Sequence, residues 1–254
     1  MLISRRVLVK IAIVTPTYNE VGNIENLLKS LLKVGIENPK DHFSVFVVDD
    51  SSPDGTADLV LSLAPKLAIK NFDINLIVRK EKDGLGRAYI YGFKQVLAHK
   101  NNYDYILQMD ADLSHNPAYI TGFIHQAREK ADFIVASRYI NGGGTPDWPI
   151  YRRALSVGGN LYTRIFLGSK ITDYTGGFNM YHTNLMKKMN IDDIGATGYG
   201  FLIELKYKAL HNANQVAEIP IVFMDRQHGS SKIPKTTILK NLILVPSIRY
   251  AKKK

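Results

Sequence analysis

Asp110-Ala111-Asp112 follows directly on the strand-like run Tyr105-Ile106-Leu107-Gln108-Met109. A buried strand that stops on Asp-x-Asp aims two carboxylates beyond its carboxyl end, where open α/β sheets bind their ligands. Two hard oxygen donors so close in sequence suit a divalent cation, Mg²⁺ or Mn²⁺, of the kind that bridges to phosphate oxygens. The chain repeats the device: Val45-Phe46-Val47-Val48 runs into Asp49-Asp50. Adjacent carboxylates repel unless something uses them. One of this pair is read as accepting a base N–H, with a turn-stabilising aspartate as the bland alternative. Thr15-Pro16-Thr17-Tyr18-Asn19-Glu20 follows the first strand-like run. Tyr18 can stack on or border a base and Glu20 can accept from a base edge or ribose; otherwise this is a helix entrance capped by Asn19 or Asn23. His115 is either a third metal ligand or a residue that shapes the loop before Asn116-Pro117. Arg138, Arg152, Arg226 and Lys232 are cations in or near loops, where binding groups concentrate; singly each reads as a surface ion-pair residue, together they would balance a diphosphate.

The elements that must position these residues are legible in outline. Ile11–Val14, Val45–Val48, Ile74–Val78, Tyr105–Met109 and Phe133–Ala136 read as strands. Helical patterns separate them, one with Ile24, Leu27, Leu28 and Leu31 on a single face. Strands alternating with helices imply βαβ units and a mostly parallel central sheet flanked by helices. Right-handed crossovers would bring the strand ends to one rim. In the second half, Asn141 to Pro146 reads as a mobile loop, Leu155–Leu167 and Phe201–His211 as helices, and Val216–Phe223 as an edge strand because of Pro220. Ile238–Val245 reads as a helix broken or bent at Pro246. No linker or repeat is visible, so residues 1–254 are expected to form one domain.

Composition narrows the classes. The chain has 254 residues, 45% hydrophobic and 22% charged, an ordinary globular balance. The absence of cysteine excludes a disulfide scaffold and thiol chemistry and fits a reducing compartment. Arg5, Arg6 and the short Val7–Val14 run do not make a secretory leader, and no apolar stretch approaches the roughly 20 residues of a membrane span. The net charge is +10, and between Arg226 and Lys254 there are eight Lys or Arg and no acid. Such an end suits phosphates or an anionic membrane, or is a plain solvated tail. Acidic strand ends would repel a nucleic-acid backbone, so no nucleic-acid partner is expected. Gly84-Leu85-Gly86 lacks a dinucleotide fingerprint, and neither a P-loop nor Gly-x-Ser-x-Gly occurs.

In order along the chain stand Pro-Thr-Tyr-Asn-Glu (16–20), Val-Asp-Asp-x-Ser-Pro-Asp-Gly-Thr (48–56), Gly-Leu-Gly-x-Ala-Tyr (84–89) and Met-Asp-Ala-Asp-Leu-Ser-His-x-Pro (109–117). Ser-Arg-Tyr (137–139), Thr-Gly-Gly-Phe (175–178), Gly-Tyr-x-Phe (198–201) and Asp-Arg-x-x-Gly-x-Ser-Lys (225–232) follow. Over residues 11–233 the chain resembles the dolichol-phosphate (polyprenol-phosphate) mannose synthases, inverting family 2 glycosyltransferases with a GT-A fold and a Rossmann-like nucleotide-binding half. The resemblance implies mannose transfer from GDP-mannose to a polyprenyl (dolichyl) phosphate. It implies that Pro16, Tyr18, Glu20, Val48 and Asp50 hold the guanosine. Asp110, Ala111, Asp112 and Ser114 would surround the metal and diphosphate, with Asp110 and Asp112 as metal ligands and Asp112 and Arg138 as the catalytic pair. Arg138, Arg226 and Lys232 would contact phosphates of donor or acceptor, with Arg226 and Lys232 assigned to the donor. Apart from the resemblance, Arg138 and Arg152 stand near the Gly142-Gly143-Gly144 loop, which could close over substrate, and are read as contacts to the acceptor phosphate. Many prokaryotic relatives carry C-terminal membrane helices that this chain lacks. Its expected place is therefore peripheral, on the cytoplasmic face of a membrane. Residues 234–254 would touch the lipid surface, with room for a small membrane-protein partner, unless Ile238–Val245 packs into the core. Competing expectations are transfer from a UDP-sugar such as UDP-glucose, and a catalytically silent membrane scaffold.

Overall fold

The structure, a computed structural model, describes residues 8–196, 198–224 and 235–250, without the side chains of 199 and 235–241. Arg226, Lys232 and Lys252 to Lys254, which the sequence nominates for phosphate or lipid contact, lie outside the described residues, as does the side chain of Lys240.

Among the described residues seven strands form one sheet: β1 (Lys10–Thr17), β2 (His42–Asp49), β3 (Phe72–Val78), β4 (Tyr105–Gln108), β5 (Phe133–Ser137), β6 (Asn179–His182) and β7 (Val216–Pro220), in spatial order β3-β2-β1-β4-β6-β5-β7. The expected mostly parallel sheet is present, and β6 alone runs antiparallel to its neighbours. β7 sits at the edge, where Pro220, lacking an N–H, does no harm. The helices are α1 (Val21–Glu37), α2 (Thr56–Leu67), α3 (Leu85–Leu97), α4 (Ile120–Arg128), α5 (Ile150–Leu167), α6 (Thr183–Lys188), α7 (Tyr199–Asn212) and α8 (Lys235–Tyr250).

Alternation along the strands divides the core. Ile11, Ile13, Val45 and Val47 pack with Leu27, Leu31 and Phe123 of α1 and α4. Ala12, Val14, Phe46 and Val48 pack on the other face with Phe93 of α3 and Phe201 and Leu205 of α7. The central strands β1, β2 and β4 are buried on both faces and so read as largely apolar runs, whereas the edge strands β3 and β7 are only partly buried. α3 comes especially close: a Cβ on Gly92 would lie 2.5 Å from Val14 and 2.9 Å from Val48.

The chain winds outward from β1 to β3 and then returns to place β4 on the other side of β1. That reversal makes the carboxyl ends of β1 and β4 a topological switch point, the usual mouth of a ligand cleft. β1 separates β2 from β4, so Asp50 and Asp110 stand about two strand spacings, or ~10 Å, apart across the rim.

Two expectations are corrected. The Asn141–Pro146 loop is tied down: Gly144 N donates to Ile221 O (3.0 Å) and Phe223 N to Gly144 O (2.9 Å), extending the β7 edge. And α8 is not interrupted at Pro246 but continues to Tyr250. Proline leaves the carbonyl four residues back without its helical donor. Here that carbonyl, Leu242 O, accepts instead from the Tyr162 hydroxyl of α5 at 2.7 Å.

Candidate active site

The loops after β1 and β2 are bolted together. Asp50 N donates to Thr17 O (3.0 Å), Asn19 N to Ser52 Oγ (3.0 Å), Glu20 N to Thr56 Oγ1 (3.0 Å) and Val21 N to Asp54 Oδ2 (3.0 Å). Asp49 is consumed by this scaffold: its carboxylate accepts from Thr17 Oγ1, Ser52 Oγ and Ser52 N. It therefore takes the turn-stabilising role, and Asp50 is left as the residue at the rim. Asp50 receives Arg79 Nη1 at 2.8 Å. Burial raises its pKa, with the Arg79 charge opposing. Neither Asn19 nor Asn23 caps α1; Glu20 itself occupies the cap position and accepts from Asn23 Nδ2 at 2.7 Å. The exposed Tyr18 ring carries Lys82 Nζ 3.6 Å from its centroid. Pro16 and Val48 are buried and paired in register at the ends of β1 and β2, and Val48 packs in the core with Val14 and Phe93.

Beyond β4 the Asp-x-Asp loop is tightly organised. Asp110 accepts from the Tyr89 hydroxyl at 2.6 Å and keeps a partly exposed carboxylate. Asp112 Oδ1 accepts from Ser114 N (3.1 Å) and Ser114 Oγ (2.6 Å), and Leu113 between them adopts φ +63°. Ala111 is buried beneath the loop. Asp110 N donates to His115 Nδ1 at 3.0 Å, and the His115 ring stacks on Phe178 with centroids 5.0 Å apart. Burial lowers the His115 pKa and keeps the ring neutral. His115 thus shapes the loop; its Nδ1 is already occupied by the backbone. Gly177 packs so close that a Cβ would meet Asp110 Oδ2 at 3.4 Å and His115 Cε1 at 3.3 Å. Among the described residues no third His, Cys, Asp or Glu gathers with these carboxylates to form a metal cage. A divalent cation held by Asp110 and Asp112 would complete its shell with phosphate oxygens and water, which fits Mg²⁺ or Mn²⁺ at a diphosphate.

Arg138, taken singly as a surface cation, is buried. Its Nε and Nη2 grip Asp173 at 2.7 and 2.8 Å, and Nη2 also donates to Thr175 Oγ1 at 2.8 Å. The guanidinium holds the Asp173 carboxyl well below the usual range against the opposing cost of burial. Lys206, wholly buried on α7, donates to Asp173 O at 2.6 Å. Trp148 brings Arg152 to the same place: its ring lies 4.0 Å from the Arg152 guanidinium and 5.4 Å from that of Arg138. The structure therefore assembles Asp110, Ala111, Asp112 and Ser114 in one loop, pins the Pro16–Glu20 and Asp50 loops together, and pairs Arg138 with Arg152 around one indole. Asp173, Lys206, Tyr89 and Trp148 escaped sequence reasoning. Only Tyr89 stood inside a quoted motif.

The Lys206 environment has a pH consequence. Burial lowers its pKa to about 8, with Asp173 and Glu218 pulling up and Arg138 pushing down. An unfolded lysine titrates near 10.4, so between about pH 8 and 10 the unfolded chain binds more protons and stability rises with pH. Raised tyrosine pKa values, such as that of Tyr105 at about 12, reverse the trend above pH 10. Thermal midpoints should climb from pH 7.5 to 9.5 in the wild type and stay flat in Lys206→Met. Equal slopes in both proteins would remove Lys206 as the cause.

One further surface adjoins the site. α5 starts two residues after Trp148 and exposes Ile150, Tyr151, Leu155, Leu161 and Ile165 along its length. α8 lies alongside and adds Leu242 and Ile243, while its Val245 and Ile248 turn into the core. The C-terminal helix is thus divided between core and surface, and the broader apolar face belongs to α5.

Residues 12–189 match the model of glycosyl transferase family 2. The chain belongs to this family. Its relatives include an undecaprenyl-phosphate mannosyltransferase of Micrococcus luteus, 36% identical over 88% of this chain and 87% of that protein. A polyprenol monophosphomannose synthase of Mycolicibacterium smegmatis is 36% identical over 92% of this chain and 84% of its own length. Among solved structures, glucosyl-3-phosphoglycerate synthase from Mycobacterium tuberculosis, in complex with Mn²⁺, UDP-glucose and phosphoglyceric acid, superposes with TM-score 0.64 at 16% identity, over 96% of this chain and 81% of that one. Mannosyl-3-phosphoglycerate synthase from Rubrobacter xylanophilus gives TM-score 0.61 at 18% identity, over 94% and 72%. These likenesses show the GT-A fold. As a member of family 2 the chain is a glycosyltransferase enzyme.

Proposed function

We propose that the chain is an inverting mannosyltransferase that moves mannose from GDP-mannose to a polyprenyl phosphate, one domain working at a membrane surface. The observation that carries this reading is the juxtaposition of an acidic Asp110–Asp112 loop with a cationic Arg138–Arg152 pair on one sheet rim, in a chain whose relatives are named for polyprenyl-phosphate mannose transfer. A phosphate monoester has a second pKa near 6, so its oxygen is anionic at neutral pH and needs no base. That oxygen forms a bond to the anomeric carbon from the face opposite the diphosphate, the carbon–oxygen bond to GDP breaks, and the configuration inverts. Asp50, Glu20 and Tyr18 would seat the nucleoside; base stacking on Tyr18 would displace or sandwich Lys82. Asp110 and Asp112 would hold a divalent cation that, when bound, neutralises charge on the leaving diphosphate. Arg138 and Arg152, with Arg226 and Lys232, would offset the repulsion between acceptor and donor phosphates. A donor panel of GDP-mannose, UDP-glucose and UDP-N-acetylglucosamine, each with a short polyprenyl phosphate and Mn²⁺ or Mg²⁺, tests the reading. GDP-mannose should dominate; preferred turnover of a UDP-sugar would reassign the donor, and binding without turnover would favour a silent scaffold.

The same proposal gives the apolar faces of α5 and α8 to the lipid headgroup region. No helix among the described residues is long and apolar enough to cross a membrane. A lipid-borne phosphate must nevertheless reach Arg152, and the exposed α5 stripe starts beside that residue. Apolar side chains entering the interface add to attraction by basic residues. The triple variant Tyr151→Asp, Leu155→Asp, Leu161→Asp should float with anionic liposomes at least about tenfold less than the wild type, with GDP binding unchanged. Equal flotation would take the α5 face out of membrane binding.

A further inference from the structure

The motifs Gly-Leu-Gly-x-Ala-Tyr (84–89) and Gly-Tyr-x-Phe (198–201) lie at the starts of α3 and α7, and they meet behind Asp110. The rings of Tyr89 and Phe201 stack with centroids 6.1 Å apart and planes 6° from parallel. Phe201 in turn rests on Gly86, where a Cβ would come within 2.8 Å of its ring. Any side chain there would push the phenylalanine away. The Tyr89 ring is wholly buried, and its hydroxyl spends its proton on Asp110 Oδ1 at 2.6 Å.

A carboxylate turns readily about its terminal torsion, whose preference is broad. The backbone of Asp110 is fixed by its N–H bond to His115, but among the described residues only the Tyr89 hydroxyl donates to the carboxylate and fixes its rotation. We infer that Tyr89 is a positioning residue that orients the Asp110 carboxylate toward the donor's metal and diphosphate, and that Phe201, seated on Gly86, holds Tyr89 in place. The inference rests on the proposed role of Asp110 as a metal ligand. It gives both motifs a physical purpose: the glycine admits the phenylalanine, the phenylalanine clamps the tyrosine, and the tyrosine aims the carboxylate.

The test is Mn²⁺ binding to the protein in the presence of GDP, read by the electron paramagnetic resonance signal of free Mn²⁺, with Tyr89→Phe, Gly86→Ala and Asp110→Asn beside the wild type. Loss of a hydrogen bond that orients a metal ligand typically weakens metal binding 10- to 100-fold. Tyr89→Phe should therefore raise the Mn²⁺ dissociation constant about tenfold, while the acceptor KM at saturating Mn²⁺ stays at the wild-type value. Gly86→Ala, which keeps the hydroxyl but displaces Phe201, should shift it in the same direction. Unchanged Mn²⁺ affinity in Tyr89→Phe together with a large loss in Asp110→Asn would overturn the inference and leave the metal site standing. Unchanged affinity in Asp110→Asn would overturn both. Should Tyr89→Phe melt well below the wild type without metal, Gly86→Ala decides: wild-type Mn²⁺ affinity in that variant also overturns the inference.

Discussion

Replacing Asp112 by Asn is expected to lower transfer by about 10²- to 10³-fold, the usual cost of removing one charged element from a preorganised electrostatic site. The substitution is nearly isosteric. The Asn amide oxygen can still accept from Ser114 N and Ser114 Oγ, which Asp112 Oδ1 now does at 3.1 and 2.6 Å. The turn through Leu113 should persist, and what disappears is the negative charge. The loss should appear in kcat/KM for the donor, and GDP-mannose binding should weaken chiefly when Mn²⁺ is present. Near-normal turnover by the variant, or full wild-type activity in excess chelator, would rule out the metal role of the Asp-x-Asp loop.

The second large effect falls on stability. Arg138 and Asp173 form a buried, bidentate pair, and breaking such a pair from one side costs about 3 to 5 kcal/mol because the remaining charge is stranded. Asp173→Ala should lie at the upper end, since it leaves Arg138 and Lys206 together in the interior. Arg138→Ala should lie near the lower end, because Asp173 keeps the N–H groups of Thr175 and Gly176 as well as the Lys206 charge. Urea denaturation measures both; a cost below about 1 kcal/mol for either would contradict the buried-pair description. Arg152→Ala separates acceptor binding from folding. Arg152 packs on Trp148 at the start of α5, so its loss should cost about 1 kcal/mol, well below the cost of breaking the Arg138–Asp173 pair. It should raise the acceptor KM more than the donor KM.

Much of the fold was legible because the central parallel strands are buried on both faces. Val45 to Val48 is a continuous apolar run and Tyr105 to Met109 one interrupted only by Gln108, and each ends on the acids that matter. What stayed hidden was β6. Asn179-Met180-Tyr181-His182 is four residues long, polar at both ends and free of β-branched side chains, so nothing local marks it as a strand. Yet it is this antiparallel strand that returns the Asp173–Phe178 segment to the rim. It sets Gly177 against Asp110 and Asp173 against Arg138. The same omission explains why Arg138 was read as a surface cation: its partner lies 35 residues away, on a segment whose course the sequence pattern did not disclose. The separation of Asp49 from Asp50 was equally invisible. It depends on which carboxylate meets Thr17 across two neighbouring strands, a matter of register rather than residue type.

The central claim is that an anionic lipid phosphate attacks the anomeric carbon of GDP-mannose directly. The measurement that tests it most directly is nuclear magnetic resonance of the lipid product, made by the purified enzyme from GDP-mannose and a short polyprenyl phosphate with Mn²⁺. The account predicts mannose joined through a phosphodiester to the lipid with its anomeric configuration inverted from that of the donor. A product with retained configuration, or release of free mannose and GDP with no lipid product, would contradict it.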